Sequence, residues 1–134
     1  MKDLIKIPIR TKQRNELILI TDKLQQIIFE HQINDGILVA QVLHTTAGIT
    51  INENADPAVV EDLLKHLSKL APENSNYTHA EGNSDAHIKA SLVGSSVTLS
   101  VVNQKLVLGT WQGIFFCEFD GPRQREMVVK ILVQ

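Results

Sequence analysis

Cysteine is almost absent from this chain. Cys117 stands alone, so no disulfide can close within the molecule, and nothing points to an oxidising compartment. It lies in the apolar run "GIFFCEF", where a thiol packs as a small inert hydrophobe rather than acting as a nucleophile. Aromatic residues reach only 4%, so the core must be built from aliphatic side chains. Positive charge is not in excess either. The formal net charge is −2 and there is no long basic run, which argues against a generic nucleic-acid or membrane surface. No apolar stretch approaches the roughly 20 residues of a membrane span. The opening "MKDLIKIPIRTKQRNELILI" is broken by charges too often to serve as a secretory signal. A soluble, cytoplasmic protein is expected.

What is present is globular: 134 residues, 43% hydrophobic and 21% charged, without repeat, linker or low-complexity tract. One domain over 1–134 follows. Residues 3–9 and 16–21 read as strands around the polar turn "TKQRN". Thr21 is placed to cap a helix over 22–33, with Leu24, Ile27 and Ile28 on its apolar side. The Asp35-Gly36 pair ends it. "ILVAQVLH", 37–44, then reads as a strand buried on both faces, followed by a shorter one, "GITINE", at 48–53. Asp56-Pro57 is a strong helix start, and Val59, Val60, Leu63, Leu64, Leu67 and Leu70 form the expected buried stripe up to Pro72. Ser84 is placed to cap a further helix over 85–94. Strands follow at 96–102, 105–111, 113–119 and 125–133, turning at Asn103-Gln104 and at Asp120-Gly121-Pro122. The order ββαββααββββ predicts an α+β fold: a largely antiparallel sheet or small sandwich with helices packed on one side.

Three polar clusters interrupt this apolar chain. "HTTAGITINENADP" (44–57) ends the first long strand, "HAEGNSDAH" (79–87) fills a loop, and "GTWQGIFFCEFDGPR" (109–123) embeds Glu118 on a strand face with Ile114 and Phe116. Imidazole and carboxylate together suit Zn²⁺, Mn²⁺ or Fe²⁺. His79 and His87 are placed to share an ion, with His44 as the third ligand, while Glu81, Asp85 and Glu118 can ligate, orient or act as base. The same segments also suit phosphate. Thr45 and Thr46 offer hydroxyls, the helix after Ser84 offers backbone N–H groups, and Arg123 follows a tight turn where its guanidinium can grip an anion. Trp111 and Gln112, between Gly109 and Gly113, leave room for a ligand. His31 and His66 read as ordinary surface or core-edge residues.

The strings "HTTAGITINENADPAVVEDL", "YTHAEGNSDAHIKASLVGSSVTL" and "LVLGTWQGIFFCEFDGPR" resemble the YjbQ-like family, often labelled secondary thiamine-phosphate synthases, over about half of the chain in colinear order. The resemblance implies a compact α+β fold assembled as a homotrimer. It also implies coupling of a hydroxymethylpyrimidine diphosphate to a thiazole phosphate with release of pyrophosphate. His44, His79 and His87 match the family's histidines. Glu53, Asp56, Glu81, Asn83, Trp111, Gln112, Glu118 and Arg123 fall in its motif positions. The chemistry needs charge neutralised on the leaving group, by Mg²⁺, Arg123 or Lys89, and little acid–base work. The expected site therefore comprises Glu81, Asp85, Glu118 and Arg123 as catalytic groups and His44, His79 and His87 as metal ligands. Thr45, Thr46, Asn83, Lys89, Trp111 and Gln112 would contact a small phosphorylated substrate. A metal-dependent hydrolase of a phosphate or amide, with Glu81 or Glu118 activating water, and a trimeric non-catalytic ligand- or metal-binding module remain as alternatives.

Overall fold

A computed structural model describes residues 4–134. Its elements run β1 (Ile5–Arg10), β2 (Glu16–Leu19), α1 (Thr21–Glu30), β3 (Gly36–Val42), β4 (Ala47–Glu53), α2 (Pro57–Leu70), α3 (Ser84–Val93), β5 (Ser96–Val102), β6 (Lys105–Leu106), β7 (Gln112–Glu118) and β8 (Gln124–Val133). This is the expected order, element for element. A five-stranded sheet, β1-β8-β3-β5-β6, faces a three-stranded sheet, β2-β7-β4, and all their pairings are antiparallel.

Three layers result. Leu38, Ala40, Val42, Leu99, Val101, Met127, Val129 and Ile131 of the larger sheet meet Ile49, Ile114 and Phe116 of the smaller one. Leu24, Ile27 and Ile28 of α1 join that core, so α1 serves the inter-sheet layer rather than the outer helical one. The other face of the small sheet, Phe115, Cys117 and Phe119, takes Ala86 and Ala90 of α3 and the half-buried Val60, Leu64 and Leu67 of α2. β7 is thus covered on both faces, which is why "GIFFCEF" reads as a continuous apolar run.

The same reading fails for β3. Leu38, Ala40 and Val42 are buried, but Ile37 is 43% and Leu43 47% exposed, because nothing among the described residues covers the outer face of the large sheet there. The α2 stripe is also shallower than its pattern suggests: none of its residues is fully buried, and Leu70 is exposed. Asp56 caps α2 as expected, accepting from the Ala58 N–H at 2.9 Å with Pro57 in the first turn. Thr21 and Ser84 are instead the first helical residues of α1 and α3, and the capping positions fall to Ile20 and Asn83 without a side-chain cap. Thr21 Oγ1 is used elsewhere, accepting from the Ile114 N–H across to β7. Helix α1 stops at Glu30, where Gln32 takes a left-handed conformation (φ 53°), before the Asp35-Gly36 pair. The strand expected at 105–111 survives only as Lys105–Leu106. Beyond it the chain leaves the sheet and folds into a turn in which Gln112 Oε1 accepts the Gly109 N–H and Gly109 O accepts the Gln112 N–H. The start of the first predicted strand, residue 3, lies outside the described residues.

Candidate functional site

The segment after β3 runs past the end of the sheet, and two anchors hold it. His44 Nε2 accepts the Glu126 N–H at 2.8 Å. Buried Thr46 accepts Arg125 Nη2 on its hydroxyl at 2.8 Å and on its carbonyl at 3.3 Å. So fixed, His44, Thr45 and Ala47 form one wall of a cleft of about 470 Å³; His87, Ala90, Ser91, Gly94 and Ser95 form the other. The glycine at 48 lets α3 come this close. A Cβ there would sit 2.6 Å from Gly94 O, the same carbonyl that accepts the Ile49 N–H. On the N-terminal side of α3 a second hollow, about 390 Å³, is lined by Tyr77, Thr78, His79, Ser84, His87 and Ile88. His87 belongs to both, and its ring meets that of His79 edge-on with centroids 5.5 Å apart.

The three expected histidines therefore border two hollows that share His87, but they do not gather into one cluster. Among the described residues no three His, Cys, Asp or Glu side chains gather in an ion-holding group. His44 has one ring nitrogen committed to the Glu126 amide. Glu81, an exposed residue, approaches His79 Nε2 only to 3.9 Å.

The carboxylates expected to act in this region lie elsewhere. Glu118 is fully buried and spoken for: it accepts from Thr11 Oγ1 (2.7 Å), from Arg125 Nε (2.8 Å) and Nη2, and from the Phe119 and Asp120 N–H groups. Burial pushes its carboxyl up, but those donors outweigh burial and hold it below the ordinary value. Asp85 is equally buried, bonded to Arg14 Nη2 at 2.9 Å and to Lys89 Nζ at 3.4 Å. Lys89 in turn donates to Asn15 Oδ1 and Ser68 Oγ, so it ties α3 to α2 and to the β1–β2 turn and has no free face for a substrate. Asn83 donates to Asp120 Oδ2 at 2.9 Å, while its own Oδ1, buried, has no partner among the described residues. Asp120, read from the sequence as turn chemistry, also takes Arg14 and Arg123. Burial raises its carboxyl; Asn83, Arg123 and Arg14 together bring it below the ordinary value.

These ion pairs are a scaffold, not a reactive centre. A buried charge is tolerated only when paired and hydrogen-bonded, and each of these is. Arg123 belongs to the scaffold's rim: Nε and Nη2 are held on Asp120 with half the side chain in solvent, and it lines neither hollow. Trp111 is 63% exposed, away from the cleft, and Gln112 is used by its local turn. Glu53 ends β4 and Asp56 caps α2. Of the expected site residues, the structure brings together His44, Thr45, His79 and His87. Tyr77, Thr78, Ser84, Ser91 and Ser95 join them, and the sequence did not single these out for contact with a ligand. Arg125 was missed as well. Its signal was present, since it alternates with Met127, Val129 and Ile131 and so falls on the core face of β8 opposite Glu118.

The electrostatics of His44 follow from this frame. Burial first, and the nearby Arg125 charge second, lower its pKa; Glu118 and the Glu126 contacts oppose them without reversing the direction. At His44 the cleft thus presents a neutral imidazole, with hydroxyl groups beside it, and none of its lining residues is a carboxylate. Such a lining hydrogen-bonds anionic oxygen without like-charge repulsion.

Residues 5–134 match the family model described as UPF0047 protein YjbQ-like. A UPF0047 protein of Methanocaldococcus jannaschii is 58% identical over 132 residues, covering 98% of this chain and 96% of the relative. UPF0047 protein YugU of Bacillus subtilis is 47% identical, covering 94% and 96%. A crystal structure of a YjbQ/UPF0047 family protein from Clostridium acetobutylicum superposes with a TM-score of 0.93 at 52% identity, over 96% of this chain and 99% of that one. The crystal structure of a YbjQ-like protein of unknown function from Sulfolobus solfataricus gives 0.93 at 35% identity, over 98% of this chain and 97% of that one.

Proposed function

The chain belongs to the UPF0047 YjbQ-like family, and for it we propose an enzyme that binds a small phosphorylated substrate in the His44–His87 cleft and transfers a group with pyrophosphate as the leaving anion. The coupling is of the thiamine-phosphate synthase type. A hydroxymethylpyrimidine diphosphate loses pyrophosphate at its methylene carbon, and the ring nitrogen of a thiazole phosphate forms the new C–N bond. One observation carries the choice among the readings: two hollows that meet at His87, lined by three imidazoles and by hydroxyls, with no carboxylate in the lining. The coupling moves no proton at the reacting carbon or nitrogen, so it needs donors for the departing diphosphate and no protein base. A hydrolase that activates its water with a carboxylate would use Glu118 or Glu81; Glu118 is buried with both oxygens bonded, and Glu81 lines neither hollow.

Mg²⁺ carried in with the diphosphate is the cation this reading calls for. Among the described residues, zinc, manganese or iron would rest on the His79–His87 pair, with Glu81 beside it. A homotrimer in a reducing cytoplasm completes the proposal. The exposed cross-strand pair Ile37 and Leu132, with Leu43 and Val102 on the same uncovered sheet face, supports assembly. The lone buried Cys117 supports the compartment.

The test supplies the pyrimidine diphosphate with Mg²⁺, with and without the thiazole phosphate, and follows pyrophosphate. Release that requires both substrates and falls at least about tenfold in His87→Ala is expected. Release from the pyrimidine diphosphate alone would make the protein a hydrolase. Saturable binding without turnover would make it a binding module.

A further inference from the structure

The two nitrogens of His44 do different work, and the backbone decides which does what. The β3–β8 ladder ends at the Val42–Met127 pair. The next N–H along β8, that of Glu126, has no β3 carbonyl to meet, and His44 Nε2 stands in its place at 2.8 Å. A backbone amide always donates, so Nε2 must present its lone pair. A neutral imidazole has one lone pair and one N–H, so the proton sits on Nδ1. The opposite tautomer would set two N–H groups against each other. Burial and the Arg125 charge favour the neutral ring over the imidazolium. Nδ1 is not the nitrogen that meets the Glu126 N–H, and the ring lines the cleft beside Thr45, Ser91 and Ser95.

We infer that His44 offers a fixed Nδ1–H to the cleft and donates it to a phosphoryl oxygen of the ligand, so that it reads the substrate as a hydrogen-bond donor and is not a metal ligand. A metal needs a lone pair, and the one His44 has is occupied by Glu126. A phosphate oxygen only accepts, and it matches a proton that the scaffold holds in place. The ligand half of this assignment rests on the phosphate reading above; the tautomer half rests on the protein alone.

The experiment is an imidazole proton–nitrogen correlation spectrum of the ¹⁵N-labelled full chain at mildly alkaline pH, recorded alone, with inorganic pyrophosphate and with Zn²⁺. His44→Gln identifies the His44 signals by their loss, and its Oε1 can still accept from Glu126 while leaving no donor at the Nδ1 position. The expected spectrum of the free protein shows His44 protonated on Nδ1 and not on Nε2. Pyrophosphate shifts that Nδ1 proton, Zn²⁺ leaves it in place, and His44→Gln stays folded with pyrophosphate affinity lowered roughly ten- to a hundredfold. Protonation on Nε2, or displacement of the Nδ1 proton by Zn²⁺, overturns the assignment. So does pyrophosphate that shifts the other cleft residues and leaves Nδ1–H unmoved. If pyrophosphate shifts no cleft residue, the phosphate reading and the ligand half fall together, and the free-protein spectrum still decides the tautomer.

Discussion

Replacing Arg125 with methionine tests whether the buried ion pair is the frame on which the cleft is hung. Arg125 is 6% exposed, and its guanidinium bonds both Glu118 oxygens and the hydroxyl and carbonyl of Thr46. Methionine fills much of the volume, so the loss is electrostatic: Glu118, fully buried, keeps Thr11 and two backbone N–H groups but loses its counter-charge. Breaking a buried pair from one side costs about 3–5 kcal/mol, a large part of the stability of a domain this size. The pH dependence identifies the cause. In the wild type Glu118 is held below its ordinary value of 4.5, so its contribution is complete above that value and lost as pH falls through the lower folded one. In the variant, burial without a cation raises the carboxyl, so the penalty is present at neutral pH and fades as the carboxyl protonates. The gap between the two proteins should therefore narrow from neutral pH to about pH 4. Urea unfolding followed by far-UV circular dichroism measures it; Trp111 is too exposed to report the core by fluorescence. A loss below about 1 kcal/mol, or a gap as wide at acid pH as at neutral, would refute this account of the pair.

Two further outcomes follow from packing. Gly48→Ala places a methyl 2.6 Å from Gly94 O, a backbone atom that cannot swing aside, so α3 must move off β4. A loss of about 1–3 kcal/mol in calorimetry, with weaker pyrophosphate binding because the Gly94–Ser95 wall of the cleft shifts, is expected. Burial pushes the Cys117 thiol up to about 12, so the folded protein at mildly alkaline pH should react with an aromatic disulfide reagent at least about a hundredfold more slowly than the protein in urea.

The fold was legible because its signals are local. Period-two and period-3.6 apolar patterns, the Asp56-Pro57 cap and the Asn103-Gln104 turn, both of whose residues adopt positive φ, each act within a few residues. Boundaries failed where other bonds intervened: the Thr21 hydroxyl accepts from the Ile114 N–H of β7 instead of capping, and after Val107, whose N–H still meets Ser100 O, the chain leaves the sheet for a local turn. The site was legible as composition only. Polar residues inside apolar strands were visible, and pattern alone does not say whether such a residue faces a ligand or another buried charge. Glu118, Asp85 and Lys89 looked free because their partners, Arg125, Arg14, Thr11, Asn15 and Ser68, are 7 to 107 positions away along the chain.

The sequence by itself determined the element order, the composition of the core and the histidines that border the cleft, since periodicity and side-chain chemistry are properties of neighbours along the chain. Tertiary structure alone decided which polar groups were consumed and which stayed open. Whether a carboxylate is a base or a brace depends on what other strands bring to it, and burial makes that pairing obligatory. The Glu126 amide at the end of a ladder claims one nitrogen of His44, and only the other is left to face the cleft.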